Sequence, residues 1–470
     1  MTTHPPDTMD PVLRDALALV TRLLTPGVGP EVAKYEPFEA LARRIDLSLP
    51  EEGLPSGEVS RLLEDVVGAT PVTASPRFLN QLFGGRDPAA VAGELLAAVL
   101  NTSMYTYKAA GANALIEREL TGTMARLVGF DHGEGVFAPG GSMSNFCAIV
   151  MARNAAAPSA RQRGLTGEAL TLYTSEQSHY SITKGAAMAG IGRERVRRVP
   201  CDRRGRMAPE ALERMIAEDK AAGLTPFMIN ATAGTTVLGA YDPIPAIARL
   251  AERFGVWLHV DAALGGSVAV SEAHRHLIEG VERADSVTWD AHKMLTVPLT
   301  CSVILTRRRG ELERNFDEDA DYLFQADSAE VNFGGRSIQC GRRNDALKLW
   351  ALWKRHGTRG LGRRVDRLFG LARLAAELVR ENPELELVRE PESVTVCFAC
   401  RGAPAEAVCE HLRRTGRLLV GYGEVDGRNI VRVPFMDPDL TDEDVRAAVG
   451  LVCDAAGEIR EARPAVGAAK

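Results

Sequence analysis

No apolar run in this 470-residue chain is long enough to span a bilayer, so no membrane partner is expected. The N-terminus lacks the basic, apolar and cleavage-site order of a secretory signal, which places the chain in the cytoplasm as an expectation. There is no basic excess either. The formal net charge is -6, which argues against a general nucleic-acid binder. The basic runs at 193–204, 307–314 and 355–367 have acidic residues close by and read as solvated faces. Paired cysteine motifs are scarce: of eight scattered cysteines, only Cys397-Phe-Ala-Cys400 has CxxC spacing. No second CxxC follows, and residues 394–400 alternate like a strand, so no metal site is expected. The thiols suit a reducing compartment. Internal repeats and low-complexity tracts are absent too. What remains is an ordinary globular composition, 45% hydrophobic, with enough chain to bury a core unaided.

Residues 10–24 carry helical periodicity, with Leu13, Leu17, Val20 and Leu23 on one face. Further short helices are expected up to Gly68, a loop over 75–88, and helices over 88–101 and 112–128. From Gly135 the texture is α/β. Apolar strands at 135–139, 170–174, 196–200, 226–231, 257–260, 285–288 and 302–306 alternate with helices, which predicts a mainly parallel sheet covered on both faces. A long helix over 345–378, interrupted near 357–362, leads into a smaller α+β region. The expected division is an N-terminal helical segment (1–100), a large α/β domain (101–355) and a small C-terminal α+β domain (356–470).

The chemistry concentrates in a few stretches. In Ser286-Val-Thr-Trp-Asp-Ala-His-Lys-Met-Leu295 a lysine, Lys293, interrupts an apolar run. A lysine in such a setting is costly unless paired, neutralised or used covalently, although a lone lysine in a loop carries no such meaning. Residues 256–263 read as a buried strand ending in the carboxylate of Asp261, which calls for a cationic partner. Gly140-Gly-Ser-Met-Ser offers free amides and hydroxyls at a helix start, where an anion is favoured. His179 follows a strand at the edge where open α/β sheets place ligands; it could stack on a flat ring or be a hydrogen-bonded loop histidine. A lysine for an aldehyde, an aspartate for a pyridinium nitrogen and a helix start for a phosphate are what a pyridoxal phosphate enzyme needs.

The chain resembles the group II pyridoxal phosphate-dependent amino acid decarboxylases, in particular the glutamate, cysteine sulfinate and aspartate decarboxylase branch. The resemblance runs through Pro76-Arg-Phe-Leu-Asn-Gln-Leu, Asn101-Thr-Ser-Met-Tyr-Thr-Tyr, Ala138-Pro-Gly-Gly-Ser, Ser178-His-Tyr-Ser, Leu258-His-Val-Asp-Ala-Ala, His292-Lys293 and Ser337-Ile-Gln-Cys-Gly-Arg-Arg, over roughly residues 75–435. It implies the aspartate aminotransferase-like fold (fold type I) with a seven-stranded large-domain sheet, and a homodimer with the N-terminal helices on the partner. It also implies roles. Lys293 would form the Schiff base, Asp261 pair with the pyridine nitrogen, His179 stack over the ring and Ala263 pack beneath it. Ser142, Met143 and Ser144 would bind phosphate with His292, and Thr236 would lie near the ring substituents. Arg432 would grip the substrate α-carboxylate, and Gln81, Phe83 and Ser103 would shape the pocket for a small acidic amino acid, aspartate or cysteine sulfinate ahead of glutamate.

Three departures stand out. Asp290-Ala291 replaces the family's usual Asn-Pro before His-Lys, putting a carboxylate where phosphate is held. Lys108 and Ala109-Ala-Gly111 replace acidic and apolar residues. Between Gln325 and Ser337 there is no tyrosine of the kind the family uses as proton donor; His179 and Tyr322 are the substitutes at hand. Phe333 in that loop opens an alternative, a decarboxylating aldehyde synthase. A non-catalytic homologue acting as a binding protein is a third reading.

Overall fold

A computed structural model describes residues 9–25, 32, 35–318 and 331–462. Tyr322 and Gln325 lie outside the described residues.

Seven strands build the central sheet: β2 (Glu134–Ala138), β3 (Leu170–Ser175), β4 (Val196–Val199), β5 (Thr225–Thr232), β6 (Trp257–Asp261), β7 (Ser286–Asp290) and β8 (Ser302–Thr306), in the order β2-β8-β7-β6-β5-β3-β4. The five from β7 to β4 run parallel; β8 is antiparallel to both β7 and β2. Every residue of β2, β3, β6, β7 and β8 is buried, as expected where helices cover both faces. The sheet's position is fixed by Val260, Val287, Val303 and Leu305, each fully buried in the main core.

A second, five-stranded sheet is ordered β1-β11-β12-β10-β9, from β1 (Phe78–Leu79), β9 (Leu385–Leu387), β10 (Thr395–Cys400), β11 (Leu419–Val425) and β12 (Arg428–Pro434). β1 corrects the expectation of a plain loop over 75–88. Its two residues pair in parallel with Leu419 and Val420, so the N-terminal segment supplies an edge of the C-terminal sheet. The long helix Ala346–Glu381 breaks its helical dihedrals at Gly357 (φ 63°, ψ 167°), where the sequence places its interruption. Cys397 and Cys400 lie in β10 and all eight cysteines are free. Among the described residues no helix is long and apolar enough to cross a membrane.

Candidate active site

The site forms where β6, β7 and the start of the helix Gly141–Ala156 converge. Gly141, Ser142, Asn145, His179, Thr232, Thr236, Asp261, Ala263, Asp290, His292 and Lys293 line one cavity, with Leu82 from the N-terminal segment at its edge. The strands end here for a topological reason: parallel strands present their carboxyl ends together, and ligands of open α/β sheets bind at that edge.

Lys293 follows β7 in a tight turn, its amide donating to the Asp290 carbonyl at 3.2 Å. Its side chain is only 20% exposed and its Nζ lies 3.4 Å from Asp290 Oδ2. Asp261 ends β6, 4% exposed. Its Oδ2 accepts from Asn145 Nδ2 (2.9 Å) and its Oδ1 from the Ala263 amide (3.2 Å). Among the described residues no cation pairs with it. A buried carboxylate is costly without a counter-charge, so this geometry suits a ligand that carries a positive group. Burial holds His179 below the usual imidazole pKa, against the pull of Asp261, so the ring is neutral and flat beside the cavity. Its Nδ1 accepts from the Ser181 amide at 3.3 Å.

The helix start is shaped by two glycines. Gly140 has φ +108°, which L side chains rarely adopt, and Gly141 is packed so closely that a Cβ there would lie 2.6 Å from Asp290 Oδ2. Ser142 faces the cavity. Met143 and Ser144 do not line it. Their amides donate to the Gly140 carbonyl, and the fully buried Ser144 hydroxyl shares a 2.8 Å hydrogen bond with Ser302. His292 is buried; its Nδ1 lies 2.9 Å from the Cys301 carbonyl, and burial lowers its pKa.

The residues expected around a substrate are not brought into this cavity. Gln81 is exposed beside the lining residue Leu82, and Phe83 packs on Phe78 with ring centroids 5.6 Å apart. Ser103 is half-buried. Arg432 sits in β12 opposite Cys397 and Gly421. It is close by: the Cys397 thiol contacts the carbonyl of Val237, next to the cavity residue Thr236. Its Nε is buried without a hydrogen-bond partner, and burial lowers the guanidinium pKa. Phe333 is 1% exposed, belongs to a core cluster with Val136, Ile304 and Leu312, and does not line the cavity. The residue that suggested aldehyde chemistry is therefore a core residue.

Sequence reasoning missed Asn145, which holds Asp261, and His259, whose Nε2 lies 3.0 Å from Asn145 Oδ1. The signal for His259 was present, since period two puts it on the same strand face as Asp261.

Comparison with known proteins bears directly on this geometry. The pyridoxal-dependent decarboxylase conserved domain matches residues 39–401. The chain belongs to that family. It is 41% identical to the cysteine sulfinic acid decarboxylase of Mus musculus over 95% of this chain and 96% of that one. It is 38% identical to the glutamate decarboxylase of Drosophila melanogaster over 88% of this chain and 86% of that one. A crystal structure of mouse CSAD superposes with a TM-score of 0.92 at 39% identity, covering 96% of this chain and 99% of that one. This family member is thus a pyridoxal phosphate-dependent amino acid decarboxylase. The unpaired Asp261 carboxylate, the Lys293 amine and the Ser142 helix start fit the cofactor's ring nitrogen, aldehyde and phosphate.

Proposed function

We propose that the protein removes the α-carboxyl group of a short acidic L-amino acid, aspartate or cysteine sulfinate in preference to glutamate, releasing CO2 and the amine. The observation that carries the reading is the buried Asp261, which pairs with no cation among the described residues and lines one cavity with Lys293. Likeness to proteins named cysteine sulfinic acid decarboxylase supports the substrate class.

Pyridoxal phosphate supplies an electron-poor ring that accepts the electron pair left when Cα loses CO2. Lys293 would hold its aldehyde and later release the product as the amine. Asp261 would keep the ring nitrogen protonated, which a carboxylate fixed by two donors does well. The neutral imidazole of His179 would cover one face of the ring and Ala263 the other. Ser142, the helix start and His292 would hold the phosphate, and Thr236 would contact ring substituents. Arg432 would take the substrate α-carboxylate, a task suited to a guanidinium fork, and its unpartnered buried Nε supports this. Gln81, Phe83 and Ser103 would close the pocket around the side-chain acid. His179 and Tyr322 stay as the two candidate proton donors.

A homodimer fits the exposed apolar faces of the helices Pro11–Leu24 (Leu13, Leu17) and Pro88–Leu100 (Leu95, Leu96, Val99, Leu100). Eight free thiols fit a cytoplasmic setting. The test is a panel of acidic amino acids with the holoenzyme: kcat/KM for aspartate or cysteine sulfinate should exceed that for glutamate by at least about tenfold. Equal rates, or a preference for glutamate, would overturn the substrate assignment.

A further inference from the structure

Behind Asp261 runs a chain of buried polar groups that the reaction as described leaves unused. The helix Gly141–Ala156 places Asn145 over the sheet, where its Nδ2 donates to Asp261 Oδ2 (2.9 Å) and to Ser181 Oγ (3.0 Å). Its Oδ1 meets His259 Nε2 at 3.0 Å. His259 Nδ1 meets Ser286 Oγ at 2.9 Å, across the register pair His259↔Ser286 of β6 and β7. Ser286 Oγ in turn accepts from Trp257 Nε1 at 2.9 Å. Asn145, His259 and Ser286 are at most 1% exposed, so no solvent competes for these bonds.

The polarity of the chain is forced. A carboxylate only accepts, so Asn145 must turn its amide nitrogen to Asp261 and its oxygen to His259. His259 must then donate from Nε2. Burial pushes its pKa down to about 4, so the ring is neutral and its Nδ1 is free to accept from Ser286. Ser286 takes its second bond from the indole N–H, a donor that cannot reverse. Each member therefore fixes the direction of the next, from Trp257 to Asp261.

We propose that Asn145 and His259 are positioning residues that fix Asp261 and aim it at the cofactor's ring nitrogen, with Ser286 and Trp257 setting the tautomer of His259. A carboxylate that loses its donor holds its charge less well, and a proton shared with a ring nitrogen then moves toward it. The inference rests on the proposed pairing of Asp261 with that nitrogen. It goes further in assigning the strength of the pairing to Asn145 at the cavity wall and to His259, Ser286 and Trp257 behind it.

The test uses the full-length chain freed of its cofactor. Affinities are measured for pyridoxal phosphate and for deazapyridoxal phosphate, in which carbon replaces the ring nitrogen. The two share ring shape, aldehyde and phosphate, so a merely structural role would weaken both alike. The wild-type protein should prefer pyridoxal phosphate. Asn145→Ala and His259→Ala should each reduce that preference by about tenfold, and His259→Gln, which can still donate to Asn145, should restore part of it. Ser286→Ala, the mildest change, should shift it in the same direction and serves if the others fold poorly. An unchanged ratio in folded Asn145→Ala, His259→Ala or Ser286→Ala protein overturns the proposal. A wild-type protein with no preference overturns the Asp261 pairing itself, and the proposal with it. In the holoenzyme the same variants should lower kcat with KM nearly constant and move the pH midpoint of the cofactor's visible absorbance.

Discussion

Asp290 rests on Gly141. Its Oδ2 lies where a Cβ on Gly141 would be 2.6 Å away, and its Oδ1 is buried without a hydrogen-bond partner. The contact puts a carboxylate at the helix start proposed to hold phosphate, with the Lys293 amine 3.4 Å away as counter-charge. Like charges this close oppose one another, less so in the presence of the lysine. Asp290→Asn should therefore tighten pyridoxal phosphate binding by about tenfold, or ~1.4 kcal/mol, and leave pyridoxal without its phosphate unaffected. Equilibrium dialysis of both ligands checks this. An equal change for both would place the effect on Lys293 instead.

The same contact predicts a steric dependence. Gly141→Ala drives a methyl into the Asp290 oxygen and should cost about 1–3 kcal/mol of stability. Asp290→Ala should recover much of it, so a double-mutant cycle by denaturant unfolding should show strong coupling. Simple additivity would mean the loop shifts to absorb the methyl.

Asp242 gives a pH-dependent prediction. It is buried, it accepts from the amides of Met207 (2.6 Å) and Thr232 (2.7 Å), and burial outweighs both donors, raising its pKa to about 7. Between roughly pH 4 and 7 the folded chain keeps a proton that the unfolded chain has released, so this group's contribution to stability falls as pH rises. The slope is at most ~1.4 kcal/mol per pH unit, and the loss is complete above about pH 7. Asp242→Asn should flatten that part of the stability profile, as read by denaturation midpoints at several pH values.

Arg342 and Glu117 form an ion pair that is 2% and 1% exposed, and Arg342 also donates to the carbonyl of Met104 at 2.8 Å. Glu117→Ala strands a buried guanidinium and should cost about 3–5 kcal/mol. Because Arg342 anchors the Asn101–Tyr107 segment through Met104, proteolysis near that segment should accelerate in the variant. A loss under 1 kcal/mol in urea unfolding would contradict this.

Much of the architecture was legible because it rests on local pattern. Fully buried strands read as continuous apolar runs, and Lys293 and Asp261 stood out as charges at the ends of such runs. The two-residue β1 was not legible, since it has no periodicity of its own and exists only because β11 offers an edge. Helical phase separated Ser142 from Ser144: two residues turn about 200° around the axis, so one faces the cavity and the other the sheet. Asn145 and His259 are 114 positions apart, and their contact follows from how a helix packs on β6, which neither segment reveals alone. The substrate-side expectations for Gln81, Phe83, Ser103 and Arg432 came from resemblance, and this chain alone does not gather them around Lys293.

The central claim is decarboxylation through Lys293, and product stoichiometry tests it most directly. Holoenzyme with cysteine sulfinate or aspartate should release CO2 and amine one for one, without oxygen uptake, and Lys293→Ala should lower the rate by at least about a thousandfold. Aldehyde, ammonia and peroxide in place of the amine, or an undiminished rate in Lys293→Ala, would contradict the account.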